Sequence, residues 1–217
     1  MGLMGLMMQT INSSGSRPDP VARLVFELSK LPGIGEKTAT RLAYFILKQD
    51  EGYISALSEA LLNAKKTIKL CERCFTFTDI AACRICSDHS RNKNIICVVE
   101  KPSDAFSIEQ TGFFRGVYHV LHGVISPLDG VGPDEIKIRE LLDRLQSSGD
   151  GEKQEVIIAT NPSVEGDTTA MYITKLLRPL GIKTTKLAHG LPAGGLLEYS
   201  DRLTIGKALE NRTEVSG

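Results

Sequence analysis

At 217 residues the chain can bury a core of one or two domains. Its 41% hydrophobic and 24% charged residues fit a globular protein and argue against general disorder. Lys plus Arg and Asp plus Glu each number 26, which excludes a strong overall basic field for nucleic acid, so any DNA contact has to come from local geometry. Residues 1–91 carry 12 basic and 9 acidic side chains, so the first part is slightly basic and the remainder slightly acidic. Four of the five cysteines form two Cys-x2-Cys pairs within 16 residues. That clustering suits metal binding in a reducing compartment better than a secreted disulfide framework. The apolar start MGLMGLMM has no basic segment before it and is too short for a secretory or membrane-spanning segment, so a cytoplasmic protein with no membrane partner is expected.

The chain opens with residues 1–17, read as a disordered extension. After Ser13–Pro20, apolar residues at Val21, Leu24, Val25, Leu28 and Leu31 follow a helical period. Pro32 and Gly33 stop that helix, and a second runs from Glu36 to about Lys48. A third is expected from Tyr53 to Leu70, ahead of the cysteines. From residue 94 the pattern changes. Ile95–Val99 is a continuous apolar run of the kind buried on both faces of a parallel sheet. Further strands are expected at Val117–Leu121, Val156–Ala159 and Thr184–Ala188, alternating with helices at Ser103–Gln110, Asp134–Gln146 and Thr168–Leu180. Such alternation implies right-handed crossovers and an α/β fold. Leu196–Asn211 reads as an extended start followed by a short helix.

The segment Leu31-Pro-Gly-Ile-Gly-Glu-Lys-Thr-Ala-Thr-Arg joins two helices. Gly33 and Gly35 permit a tight turn, after which helix-terminal amides can receive a phosphate. Lys37 and Arg41, four residues apart, share one helix face and suit neighbouring phosphates without reading bases. The alternative is an ordinary helical corner with a solvated basic face. The stretch resembles a helix-hairpin-helix motif, which implies sequence-nonspecific binding of double-stranded, single-stranded or gapped DNA.

Cys71-x2-Cys74-x8-Cys83-x2-Cys86 offers two thiolate knuckles to one ion. Four protein ligands leave no open position, so one structural zinc per chain is expected, with the eight-residue spacer as a small hairpin. Redox thiols or incidental cysteines are the alternatives. Cys97, inside an apolar run, reads as a small buried hydrophobe.

Glu100 follows the first strand of the α/β region, and Glu165-Gly166-Asp167 follows a later one. Both places lie beyond strand C-termini, where open parallel sheets build sites and carboxylates can hold Mg²⁺. Ordinary surface acids and helix first turns are the competing reading. The region resembles a Toprim domain, whose enzymes use a Glu and an Asp-x-Asp pair. Glu100 matches, whereas Glu165-x-Asp167 departs at its first position. The resemblance therefore implies at most a weak Mg²⁺ site at Glu100, Glu165 and Asp167, and no catalytic residue. Further on, Gly190, Gly194 and Gly195 precede Leu196-Leu197-Glu198, which resembles the end of a Walker B strand, yet no Gly-x4-Gly-Lys-Ser/Thr loop accompanies it.

In this order the modules LPGIGEKTATRLA, the four cysteines, CVVEKPSD and NPSVEGDTTA resemble the RecR family of bacterial recombination mediators over about residues 18–212. The expected fold is an α/β multi-part chain. It comprises a helix-hairpin-helix module (18–70), a four-cysteine zinc finger (71–91), a Toprim-type parallel-sheet domain (92–188) and a C-terminal Gly-rich, Walker B-like tail (189–217). The resemblance implies a non-catalytic mediator of DNA repair that acts with RecO, and in some organisms RecF. Together they help RecA replace single-strand-binding protein on gapped DNA. It also implies homodimers or homotetramers, and it carries the RecO contact to Glu165 and Asp167. A Mg²⁺-dependent nuclease or strand-passing enzyme is the alternative, motivated by the same acids.

Overall fold

The computed structural model describes residues 19–147 and 154–214. The expected disorder of 1–17 falls outside the described residues. The chain divides into two compact units between Thr67 and Ile68.

The first unit is helical: α1 (Pro20–Ser29), α2 (Glu36–Leu47) and α3 (Glu51–Thr67). Asp19 caps α1 by accepting a hydrogen bond from the Val21 amide (3.0 Å), and Pro20 opens the first turn, where a missing N–H costs nothing. Between α1 and α2 the Ile34 amide donates to the Leu31 carbonyl at 3.0 Å, closing a turn with Pro32 and Gly33 at its centre. Gly33 has φ +80°, the left-handed value a type II turn demands after proline. Helices α1 and α2 pack together. Among the described residues of this unit only Ala39 and Ala43, both on α2, are fully buried. Leu57, Leu61 and Leu62 of α3 stay exposed.

The second unit begins with a two-strand hairpin, β1 (Lys69–Leu70) against β2 (Phe77–Thr78). The third helix was expected to reach Leu70. It ends at Thr67 because Lys69 and Leu70 give their backbone to Thr78 and Phe77 instead. A four-residue helix α4 (Arg84–Ser87) leads into the α/β part. Strands β3 (Ile95–Val99), β4 (Val117–Val120), β5 (Glu155–Ala159) and β6 (Lys183–Lys186) form one parallel sheet in the order β4-β3-β5-β6. Helices α5 (Pro102–Gln110), α6 (Ile138–Gln146) and α7 (Val164–Leu177) connect them, and α8 (Arg202–Glu210) follows in the tail.

Period-2 alternation splits the apolar runs between two faces. Ile96, Val98, Val117, Val156 and Ile158 pack with Leu141, Leu145, Ile173 and Leu177 from α6 and α7. Cys97, Val99, Tyr118 and Val120 face Ala105 of α5. The Cys97 thiol is pushed up to about 12 by burial, which keeps it an inert protonated hydrophobe.

Two helices begin elsewhere than expected. Helix α6 starts at Ile138, because the Lys137 amide donates to the Leu121 carbonyl (2.9 Å) and ties the preceding segment to the end of β4. Helix α7 starts earlier, at Val164, because Ser163 Oγ caps it by accepting from the Gly166 amide at 3.0 Å. Gly166 passes so close to the Asn161 carbonyl that a Cβ would lie 2.1 Å from its oxygen. The glycine between Glu165 and Asp167 is therefore a packing requirement of the β5–α7 junction. The stretch resembling a Walker B strand is not extended: Leu197–Tyr199 forms one 3-10 turn, with no sheet neighbour among the described residues.

Candidate functional site

The four cysteines converge. Their ligand atoms all lie within 4.8 Å of one another, and each side chain is buried. Tetrahedral thiolates about 2.3 Å from one ion sit about 3.8 Å apart, so this spacing fits the ion. Cys71 and Cys74 form the loop of the β1–β2 hairpin, in which the Phe75 amide donates to the Cys71 carbonyl (2.9 Å) and the Cys71 amide to the Thr76 carbonyl (2.8 Å). The hairpin thus wraps the first knuckle, where a hairpin within the spacer was expected. Cys83 caps α4, which carries Cys86 one turn on. The Cys83 amide donates to Cys71 Sγ (3.3 Å), and Cys74 Sγ lies 3.5 Å from Cys83 Sγ. Hydrogen bonding to Cys74 holds the Cys83 thiol low, while sharing with Cys83 pushes Cys74 up. So close a set of sulfurs competes for protons, and an ion able to take all four as thiolates relieves that competition.

The α/β part grips this knuckle in a way the sequence did not disclose. Three successive carbonyls are taken by three donors. Arg144 Nη1 donates to Arg73 O (3.1 Å), the Val120 amide to Cys74 O (2.9 Å) and His122 Nε2 to Phe75 O (2.6 Å). Because β4 is an edge strand, the knuckle also covers its open side. Phe75 holds φ +61° and His122 φ +59°, strained values that this docking over-determines. His119, buried beneath, meets the Phe75 ring edge-on at 5.3 Å and places Nε2 2.7 Å from Lys137 O. Burial lowers its pKa to about 4, so it serves as a neutral donor.

The predicted DNA residues Gly33, Gly35, Lys37 and Arg41 are all exposed. No ion pair among the described residues engages Lys37 or Arg41. Gly35 is the N-cap of α2 at φ −78°, a conformation open to any residue, and supplies no side-chain cap. A Cβ there would meet nothing within 4 Å. The first-turn amides of α2 are thus left for an outside acceptor, next to Glu36 as the one acid of that turn.

The acids do not converge. Among the described residues the four cysteines are the group placed to hold an ion. Glu100 is buried, and both its oxygens are occupied: Oε1 accepts from the Asn161 amide and Oε2 from Asn161 Nδ2, each at 2.6 Å. Glu165 and Asp167 lie in the first turn of α7, where acids suit the helix dipole. Asp167 pairs with Lys186, which holds its carboxyl below the usual range.

Family models match most of the chain: "RecR, helix-hairpin-helix" over residues 21–65, "Toprim domain" over 94–188 and "RecR, C-terminal" over 190–213. A protein named "Recombination protein RecR" from Anaeromyxobacter sp. (strain Fw109-5) is 54% identical over 197 residues, covering 91% of this chain and 98% of that protein. Its namesake from Myxococcus xanthus (strain DK1622) is 52% identical over 198 residues, covering 91% and 99%.

The Glu100 geometry yields a direct expectation. Glu100→Gln turns an N–H toward one of the Asn161 donors and costs about 1–3 kcal/mol, read as a lower urea midpoint. Adding Mg²⁺ leaves both proteins' midpoints unchanged, whereas a ligand role would stabilise the parent alone.

Proposed function

The chain belongs to the RecR family and so has a role in recombination, and from that premise we propose that it is a non-catalytic DNA-binding mediator whose four cysteines hold one structural zinc. The observation that carries the DNA reading is the α1–α2 turn. An exposed glycine corner, uncapped amides and two unpaired cations sit at one helix start. Amides and dipole receive one phosphate, while Lys37 and Arg41 neutralise neighbours. Nothing in this arrangement reads a base edge, so binding is independent of sequence.

One hairpin covers few phosphates. Useful affinity then comes from several hairpins on one DNA, as in a dimer or tetramer. The sparse core of the first unit supports self-association, since Tyr44, Phe45, Leu47, Leu61 and Leu62 remain exposed. The tail adds Leu197, Tyr199 and Leu203, also exposed.

The acids support a partner role in place of metal chemistry. Glu100 is committed to Asn161, while Glu165 and Asp167 stand at the start of α7. A basic surface on RecO is the fitting counterpart, and Lys186 is the group it displaces from Asp167. In this reading the chain acts with RecO, and with RecF where present, to help RecA replace single-strand-binding protein. No described helix is long and apolar enough to cross a membrane.

Lys37→Ala with Arg41→Ala weakens binding to gapped DNA and lowers the log–log salt slope by about 2 per chain, measured by fluorescence anisotropy from 50 to 300 mM salt. An unchanged slope would remove the hairpin from the DNA contact. Metal analysis finds about one zinc per chain, and Cys74→Ser lowers both the zinc content and the melting temperature. A parent that is metal-free and equally stable would remove the zinc.

A further inference from the structure

We infer that Arg144, a residue of the α/β domain, is a positioning residue of the metal centre: it supplies the positive charge that a closed four-thiolate site needs and fixes the first knuckle through its carbonyl. The inference rests on the reading that the four cysteines hold zinc.

The charge requirement follows from the donor set. Four thiolates around Zn²⁺ leave two negative charges on a site whose cysteines are 0–5% exposed. Charge taken that far out of water is unfavourable unless a cation or several N–H groups face it. The Cys83 amide faces Cys71 Sγ (3.3 Å), and the backbone N–H groups of Thr76 and Cys86 turn to Cys74 and Cys83, dipoles that compensate only part of the charge.

Arg144 is placed to supply the rest. It lies on α6 between Leu141 and Leu145, both buried, so its stem leaves the helix on the edge facing the core. Its Nη1 donates to Arg73 O (3.1 Å), inside the first knuckle, and to Tyr118 O (2.7 Å), on β4. Arg144 and Cys86 line the same open cleft of about 580 Å³. Arg73 and Lys93 border the cleft as well, but both are exposed and act through water. Glu140 and Asp143 belong to the same cleft, and Glu140 is engaged by Lys137. Arg144 is half-buried and is hydrogen-bonded to a residue between two of the ligands.

A lysine keeps the charge but loses the planar fork, whereas a glutamine keeps a donor and loses the charge. This separates the two parts of the inference. The measurement is Zn²⁺ affinity of the full-length protein, by competition with a chromophoric chelator. Co²⁺ spectra report whether all four thiolates still bind, and a melting curve is taken for each zinc-loaded variant. Arg144→Gln weakens zinc binding by about 10–100-fold with an unchanged four-thiolate spectrum, while Arg144→Lys stays close to the parent. Equal weakening in both variants would reduce Arg144 to a geometric tether and overturn the charge role. Parent-like affinity in both would overturn the inference altogether. Should the glutamine variant fold poorly, the lysine variant alone decides, because a tether that needs the guanidinium fork fails in lysine and a charge does not. A parent chain that binds no zinc would sink the zinc reading itself, which is a distinguishable result.

Discussion

Three consecutive carbonyls, those of Arg73, Cys74 and Phe75, join the cysteine module to the parallel sheet, and much of the second unit depends on that junction. A module with two-residue strands and a four-residue helix has too little apolar surface to hold itself together. Its four cysteines are placed to hold an ion, which would supply what its core lacks. In return the module covers the open edge of β4, which otherwise invites pairing with another chain. Two residues with positive φ, Phe75 and His122, meet across the junction, so local strain is offset there by hydrogen bonds of 2.6–3.1 Å.

In the Toprim part, Glu100 holds the end of β3 to the β5–α7 junction. Its two oxygens accept from the Asn161 amide and from Asn161 Nδ2, which closes that junction. Gly166 completes the closure, because a side chain there would strike the Asn161 carbonyl. Glu165 and Asp167 both stand in the first turn of α7, two positions apart and so on different faces, one half-buried and one exposed. Acids in a first turn suit the helix dipole, and Asp167 is already paired with Lys186.

Local signals made most of this legible from sequence. Pro32-Gly33 sets a turn by itself, the helical periods of α1 and α2 flank it, and Cys-x2-Cys spacing fixes the ligands. Apolar runs marked β3 and β5, because both faces of a parallel sheet are covered. The docking residues were not legible. Arg144 reaches Arg73 across 71 positions and His122 reaches Phe75 across 47, and no short pattern encodes such a pairing. His119 is fully buried although polar, and nothing in the sequence marks it for the core. Helix ends moved for the same reason: Leu70 is claimed by Phe77, and Lys137 by Leu121. The tail misled because Leu196-Leu197-Glu198 has strand-like composition but no strand beside it.

If metal, knuckle and sheet edge form one cooperative element, removing the metal should free the edge strand before it disturbs the sheet's centre. Amide hydrogen exchange at Val120, whose N–H donates to Cys74 O at 2.9 Å, reports this directly. In zinc-loaded protein Val120 exchanges slowly. After chelation it exchanges far faster, while Val98 and Ile158 in the interior strands keep their protection. A Val120 amide equally protected with and without metal would contradict the account.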